Sequence, residues 1–237
     1  MRPIDLFQVL AVVLIWGFNF VAIKTAVMEI PPLALTVIRF LLVGMLLTPF
    51  FRPERSELQP LLLLSLTMGV GHFGLLFLGL RGADAATAAL LIQLGVPFSS
   101  IMAALFFADK LNWVRAAGMG MAFIGAGFLA GEPGGGTPVA IAALLLSALC
   151  WAGSNILIKH MAQVHPMTII GWLSLLAVPP LTVMSLVFES DQLLAVQNAD
   201  WKAWGALAYI VLASSIVAYY LWYRLIARLK INQVVPY

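Results

Sequence analysis

Residues 16–24 read WGFNFVAIK, and residues 151–159 read WAGSNILIK. An offset of 135 positions pairs the tryptophans that open the two stretches and the lysines that close them. The same offset pairs Pro31 with Pro166. Tryptophan, lysine and proline are scarce in this sequence, so their match at one offset indicates an internal repeat. Each stretch also carries an asparagine, one position out of step.

Up to its closing lysine, each stretch lies in an apolar run that contains no Asp, Glu, Lys or Arg. A helix that crosses a membrane needs about 20 mostly apolar residues. The eight charge-free runs are Leu6–Ile23, Phe40–Phe51, Leu58–Leu80, Ala85–Ala108, Ala116–Gly131, Pro133–Ile158, His160–Phe188 and Ala203–Tyr223. The short second run extends back to Leu33 if one charge, Arg39, is tolerated inside the helix. The fifth run begins at Trp113 if Arg115 is tolerated in the same way. We therefore predict an all-α polytopic membrane protein with eight transmembrane helices in this chain.

The composition excludes several classes of protein. Of the 237 residues, 62% are hydrophobic and 10% are charged, whereas soluble domains have about 25% charged residues. A solvated domain and a disordered chain are excluded on this ground. The net charge of +3 is small and its bases are spread over loops, so we expect no nucleic-acid partner. The only cysteine, Cys150, lies in an apolar run, so neither a disulfide framework nor a cysteine-based metal site is expected.

Basic residues indicate how the chain is oriented. With a cytoplasmic N-terminus, three of them fall outside the cell: Lys24, Arg81 and Lys202. Nine then fall inside: Arg2, Arg52, Arg55, Lys110, Arg115, Lys159, Arg224, Arg228 and Lys230. Because cytoplasmic loops are enriched in Lys and Arg, the N-terminus is predicted to be cytoplasmic.

The repeat divides the chain into two units. Residues 1–131 hold five predicted helices, and residues 138–237 hold three and the start of a fourth. Because five is odd, the second unit enters the membrane from the opposite side, which is the inverted repeat that many transporters use for alternating access. Symmetry predicts two further helices after Tyr237, and the alternative is a complete protein of eight helices.

Several motifs resemble a known family. LIWGFNFVAIK (residues 14–24) and PPLALTVIRF (residues 31–40) are similar to the first two helices of EamA-type transporters of the drug/metabolite transporter superfamily. AATAALLIQLGVP (residues 85–97) with FFADKL (residues 106–111) resembles the fourth helix and its following loop, and CWAGSNILIK (residues 150–159) the sixth helix. The ordered set is specific to the family, although each motif is short.

The resemblance implies ten helices in two inverted five-helix repeats, an inner-membrane location and export of small metabolites or drugs. Amino acids and their derivatives are common substrates of the family, and the opening motif is most similar to exporters of cysteine-pathway metabolites and other amino acids. This sequence departs from the family at Asp109, where Glu is usual. Its eight predicted helices are two fewer than the resemblance implies. We expect a small-molecule substrate, a bilayer environment and no cofactor.

Polar side chains at bilayer depth are costly, so each is a candidate for function. The predicted substrate-binding residues are Trp16, Asn19, Arg39, His72, Gln93, Trp151, Asn155, Tyr219 and Tyr220. The asparagines and tryptophans have an alternative role in helix packing. Arg39 binds either a substrate carboxylate or backbone carbonyls, and His72 either carries a coupling proton or is structural.

Lys24 and Lys159 are predicted gates at opposite ends of the pathway, with membrane-surface anchoring as the alternative.

The sequence has no HExxH or GxSxG motif and no pair of acids inside the membrane, so we do not expect an enzyme. A scaffold or sensor that transports nothing is the second hypothesis.

The fifth predicted helix is rich in glycine. We expect these glycines to pack within the chain, with a homodimer interface as the alternative. Pro97 is expected to kink the fourth helix.

Overall fold

The computed structural model describes residues 3–107, 111–131 and 135–235. Arg2, Asp109 and Lys110, which the sequence analysis used, lie outside these ranges. Within them the regular elements are helices, and an isolated antiparallel bridge joins Ala83 to Gly136. The helices are α1 (Pro3–Val27), α2 (Pro32–Leu47), α3 (Arg55–Leu80), α4 (Ala85–Ile92), α5 (Gly95–Phe107), α6 (Trp113–Gly131), α7 (Pro138–His160), α8 (Pro166–Phe188), α9 (Gln192–Asn198), α10 (Trp201–Arg228) and α11 (Ile231–Val234).

Six helical segments of the described residues are long and apolar enough to cross a membrane: α1, α3, α7, α8, α10 and the combined α4–α5 segment. Two shorter apolar helices, Pro32–Leu47 and Trp113–Leu129, coincide with the two runs that reach full length only when an arginine is tolerated. The prediction of an all-α, multi-pass membrane protein is confirmed. The number of eight transmembrane helices stays a prediction.

Helix starts follow from local chemistry. The first residues of α2, α7 and α8 are Pro32, Pro138 and Pro166. Proline is favourable there, because the N–H groups of a helix's first turn have no partner within the helix, so its missing N–H costs no hydrogen bond. At the start of α4, the Asp84 carboxylate accepts hydrogen bonds from the backbone N–H groups of Ala86 and Thr87. The hydroxyl of Thr87 also donates to this carboxylate, and these bonds hold the pKa of Asp84 below its usual range.

Pro97 shapes the fourth apolar run, although the break does not lie at the proline itself. The helix is interrupted at Gln93 and Leu94, between α4 and α5. Because Pro97 has no N–H to donate to the carbonyl of Gln93 four residues earlier, the regular helix cannot continue through that turn. Val96 donates to this carbonyl instead, over 3.0 Å.

The helices of the two proposed units pack in crossed pairs. The first helix of one unit lies against the third helix of the other, so α1 packs along α10 and α7 along α3. The second helices of the two units, α2 and α8, pack against each other. Two units related by a two-fold axis in the membrane plane produce this pairing, so it supports the inverted repeat.

Both third helices carry a π-helical segment near their middle. The segment covers Ser65–Gly74 in α3 and Ile210–Ala218 in α10. Such wide turns are rare and occur frequently at functional sites. Polar side chains of the membrane interior lie in both segments, namely His72 in the first and Ser214 and Ser215 in the second.

The α2–α8 pair is joined by a long-range helix cap. Glu189, directly after α8, accepts hydrogen bonds from the backbone N–H groups of Leu33 (2.7 Å) and Ala34 (2.9 Å) in the first turn of α2. The Ser185 hydroxyl donates to the same carboxylate over 2.8 Å. A negative charge at this end of a helix is favourable, since the unpaired N–H groups there are partly positive.

Glycines have two different environments. A Cβ atom on Gly69 of α3 would lie 2.4 Å from the Cβ of Ala177 in α8, so close packing of these helices requires glycine. In α6, a Cβ on Gly118, Gly120, Gly125 or Gly127 would meet no other atom within 4 Å. The expectation that these four glycines pack within the chain is therefore wrong for the part of the chain that the structure describes.

Candidate functional site

Arg39 lies in the middle of α2 and is 5% exposed. Its Nε donates to the Ser215 hydroxyl over 2.6 Å, and that hydroxyl donates to the carbonyl of Ile210 over 2.6 Å. The guanidinium stands over the ring of Phe73 at 4.9 Å, beside the Tyr219 hydroxyl. No carboxylate of the described residues forms an ion pair with it. Polar hydroxyls and an aromatic face therefore surround this buried cation, so an anionic ligand would complete its environment.

A layer of aromatic rings lies next to Arg39. The Trp16 ring centre is 5.2 Å from those of Tyr219 and Trp222, and Trp222 is 6.2 Å from Trp151. The indole N–H of Trp16 donates to the carbonyl of Ser214, over 3.4 Å. The repeat-matched tryptophans of α1 and α7 thus both contact Trp222 of α10.

Asn155 in α7 is 1% exposed and connects three helices. Its Nδ2 donates to the Ser99 hydroxyl of α5 over 3.3 Å, and its Oδ1 accepts from the indole Nε1 of Trp222 over 3.2 Å. Helix packing, one of the two roles predicted for this asparagine, accounts for both bonds.

His72 is buried in the π-helical segment of α3. Its Nδ1 lies 3.3 Å from the carbonyl and 3.1 Å from the hydroxyl of Ser147 in α7, and that hydroxyl donates to the carbonyl of His72 over 2.7 Å. The imidazole packs edge-on against Phe73, and the guanidinium of Arg39 lies over the same phenyl ring. His72 is thus one aromatic ring away from the cation.

Three predicted site residues lie elsewhere. Asn19 is partly buried, and its Oδ1 has no hydrogen-bond partner among the described residues. Tyr220 accepts a hydrogen bond from Arg224 over 3.3 Å and faces the ring of His165 at 6.2 Å. Gln93, at the break between α4 and α5, lines a separate cavity.

This cavity has a volume of about 670 Å³ and lies between α5, α6 and α11. Its polar lining includes Gln93, Ser100, Arg115 and Asn232. Both amide atoms of the buried Asn232 lack a hydrogen-bond partner in the described ranges. None of the aromatic residues around Arg39 lines this cavity, so it is distinct from the aromatic site.

The two lysines at the predicted gates differ in their surroundings. Lys24 is exposed in the last turn of α1. Lys159 donates from Nζ to the carbonyls of Ile226 (2.9 Å), Ala227 (3.1 Å) and Leu229 (2.7 Å) at the end of α10. A cation at the carbonyl end of a helix is stabilising, so Lys159 has an anchoring role here, and a gating role stays a prediction for both.

Several site residues escaped the sequence analysis: Phe73, Ser99, Ser215, Trp222 and Tyr223. Spacing could have identified two of them, since Trp222 and Tyr223 follow Tyr219 by three and four residues and so share its helix face. Ser99 and Ser215 carry no such signal, because serines are common in apolar helices.

Comparisons with known proteins agree with this arrangement. The EamA-like transporter family matches the chain at residues 4–131 and 138–237. A probable amino-acid metabolite efflux pump of Salmonella typhimurium is 31% identical over 242 residues, which cover 98% of this chain and 81% of that protein. A protein of the same description from Escherichia coli is 29% identical, with 96% and 79% covered.

More distant relatives agree with this assignment. An uncharacterized transporter of Bacillus subtilis is 24% identical over 95% of this chain and 80% of its own length. A solved crystal structure superimposes with a TM-score of 0.76 at 18% identity, covering 99% of this chain and 83% of that chain, which shows the shared fold. The resemblance seen in the sequence is confirmed, and the chain belongs to the EamA-like transporter family.

Proposed function

We propose that this protein exports small amino-acid metabolites across the membrane by alternating access. Membership of a transporter family supports transport of a small molecule over an enzymatic function. The relatives described as probable amino-acid metabolite efflux pumps support this substrate class. The observation that carries the proposal is Arg39, a buried guanidinium without an acidic partner among the described residues.

A guanidinium binds a carboxylate through two parallel hydrogen bonds, so Arg39 suits the group that amino acids share. The aromatic layer of Trp16, Trp151, Tyr219 and Trp222 meets Arg39 at Tyr219. This layer suits the amphipathic remainder of the substrate. His72 and Asn155 are proposed as further contacts of the same site. Asn19, Gln93 and Tyr220 are proposed to contact the substrate elsewhere on the pathway, since they lie outside the aromatic layer.

The crossed helix pairs provide the proposed mechanism. Two units of opposite orientation form two similar arrangements, one open to each side of the membrane. Units 1–131 and 138–237 are the proposed moving parts, and Lys24 and Lys159 the proposed gates. Family membership supports a location in the inner membrane. The distribution of basic residues supports a cytoplasmic N-terminus.

A scaffold or sensor that transports nothing is the alternative function. The proposed assembly is a homodimer that forms through the open glycines of α6.

Cells that overproduce the protein test transport directly. We expect them to release amino acids into the medium faster than cells carrying a variant with Arg39→Gln at equal membrane abundance. Equal release by both strains and by cells without the protein, across all amino acids and their acetylated derivatives, would favour the scaffold.

A further inference from the structure

We propose that Lys24 and Lys159 are alternating latches, each of which binds the carbonyl groups at the end of the third helix of its own unit. Lys159 is bound in this structure, and Lys24 is bound in the opposite state of the transport cycle. The inference rests on the proposed function, because it assumes alternating access, and it deepens that function by naming the partner of each proposed gate.

The bound latch lies where α7 and α10 end. Lys159, near the end of α7, donates from Nζ to the carbonyls of Ile226, Ala227 and Leu229. A cation is favourable there, since the carbonyl end of a helix is partly negative. Residues Tyr219–Arg228 of α10 also pack against α7. The first and third helices of the second proposed unit are therefore joined at the side of the membrane where both end.

The repeat-matched Lys24 has no such partner. It is exposed in the last turn of α1, and its side chain forms no hydrogen bond or ion pair with the described residues. The first and third helices of the first proposed unit, α1 and α3, also end on one side of the membrane. In the part of the chain that the structure describes, no packing like that of α7 on α10 joins them. The two units therefore differ in the same pair of helices.

The contacts between the two units are alike at both ends. Arg228, the last residue of α10, forms an ion pair with Asp5 in the first turn of α1. In the same way, the Gly82 carbonyl just after α3 accepts a hydrogen bond of 2.8 Å from the backbone N–H of Thr137, the residue that caps α7. The end of each third helix is thus fixed to the start of the first helix of the other unit.

An inverted repeat explains the difference inside the units, because two similar units exchange conformations when access changes side. In the opposite state, α1 approaches α3 as α7 approaches α10 here. This movement brings Lys24 to the carbonyl end of α3 and withdraws Lys159 from the carbonyl end of α10.

The end of α3 can accept this lysine. The carbonyls of Leu78 and Gly79 accept backbone hydrogen bonds from Arg81 and Gly82, and each carbonyl oxygen has a second lone pair. The Arg81 side chain does not cap its own helix, since it donates to the carbonyl of Phe188 at the end of α8.

Distances between spin labels test this exchange in the purified protein in lipid nanodiscs, in a Cys150→Ser background. Labelled cysteines at Met28 and Leu80 report the distance between the ends of α1 and α3. A second pair, at Gln163 and Lys230, reports the distance between the ends of α7 and α10. All four side chains are exposed, so a label disturbs no packing.

With Lys159→Gln we expect the α7–α10 distance to lengthen and the α1–α3 distance to shorten. The ratio of the two states should shift about 10-fold or more, the value of one hydrogen bond to a charged group. Adding Lys24→Gln should reverse most of this shift, because it removes the latch of the opposite state. Lys159→Arg should keep the original distances. Lys202→Gln is the matched control, an exposed lysine in the first turn of α10, and should change neither distance.

Unchanged distances in Lys159→Gln, or a longer α7–α10 distance alone, would overturn the inference and leave Lys159 a helix cap. A Lys24→Gln substitution without effect on the Lys159→Gln protein would also overturn it. If Lys159→Gln does not insert, Lys159→Met, which keeps an unbranched side chain without the charge, decides by the same distances. Exchange of the two distances without transport of any amino acid into proteoliposomes would contradict the proposed function and not the latches.

Discussion

The Nε of Arg39 donates a hydrogen bond of 2.6 Å to the hydroxyl of Ser215, a residue 176 positions away. The bond joins α2 of the first proposed unit to the π-helical segment of α10 in the second. A buried charge is retained only where polar groups compensate for lost hydration. The bond therefore joins a buried charge of the first proposed unit to the second proposed unit.

Replacing Arg39 should abolish most transport. With Arg39→Ala we expect transport efficiency to fall about 10-fold or more, because a charge-assisted bond to the substrate is worth about 1.5–3 kcal/mol. Arg39→Lys should be similarly impaired, since one ammonium cannot reproduce the planar fork. Ser215→Ala is the control and should cost about 10-fold at most, because Arg39 keeps Phe73 and Tyr219. Full flux by Arg39→Ala, measured in proteoliposomes, would contradict the site.

The cap formed by Glu189 should stabilise α2. We expect Glu189→Gln to lower the free energy of unfolding by about 0.5–2 kcal/mol, as other helix caps do, and to speed hydrogen exchange at the amides of Leu33 and Ala34. Asp191→Asn is the control, because the Asp191 side chain is exposed and makes no cap bond. If both variants show the same exchange rates in the first turn of α2, the cap is unimportant.

Gly69 should be intolerant of a methyl group. Gly69→Ala places a Cβ 2.4 Å from that of Ala177, so we expect loss of about 1–3 kcal/mol of stability from overpacking. Gly120→Ala meets nothing within 4 Å and should raise helix stability by about 0.5–1 kcal/mol. Thermal unfolding in detergent measures both. A Gly69→Ala protein as stable as the original would show that α3 and α8 do not pack this closely.

Single cysteines test the orientation. In a Cys150→Ser background, we expect a cysteine at Ser56 to react with an impermeant maleimide only after cells are opened, and a cysteine at Gln197 to react in intact cells. Ser56 lies in the first turn of α3, and Gln197 lies in α9, the short helix between α8 and α10. The opposite pattern would reverse the predicted topology.

Much of the fold is predictable from this sequence, because apolar runs and their breaks depend on local composition. The repeat also identified Trp16, Trp151 and Asn155, which meet around Trp222 in the structure. The matched tryptophans converge, so the repeat indicates a site that composition alone cannot, although Asn19 does not join Asn155 there.

The remaining site residues depend on backbone geometry that the sequence does not reveal. The π-helical segment of α10 turns its residues away from the face that a regular helix predicts, and this aims Ser215 at Arg39. The break caused by Pro97 has the opposite effect on Gln93, which lines a separate cavity instead of the aromatic site. The first effect arises from the wider turns of a π-helix, and the second from the hydrogen bond that Pro97 cannot donate.

Efflux of preloaded amino acids from proteoliposomes that contain the purified protein tests the central claim most directly. We predict that the protein accelerates efflux above that of protein-free liposomes, and that amino acids with a free carboxylate compete for it while their methyl esters do not. Equal competition by the esters, or no efflux of any amino acid, would contradict the account.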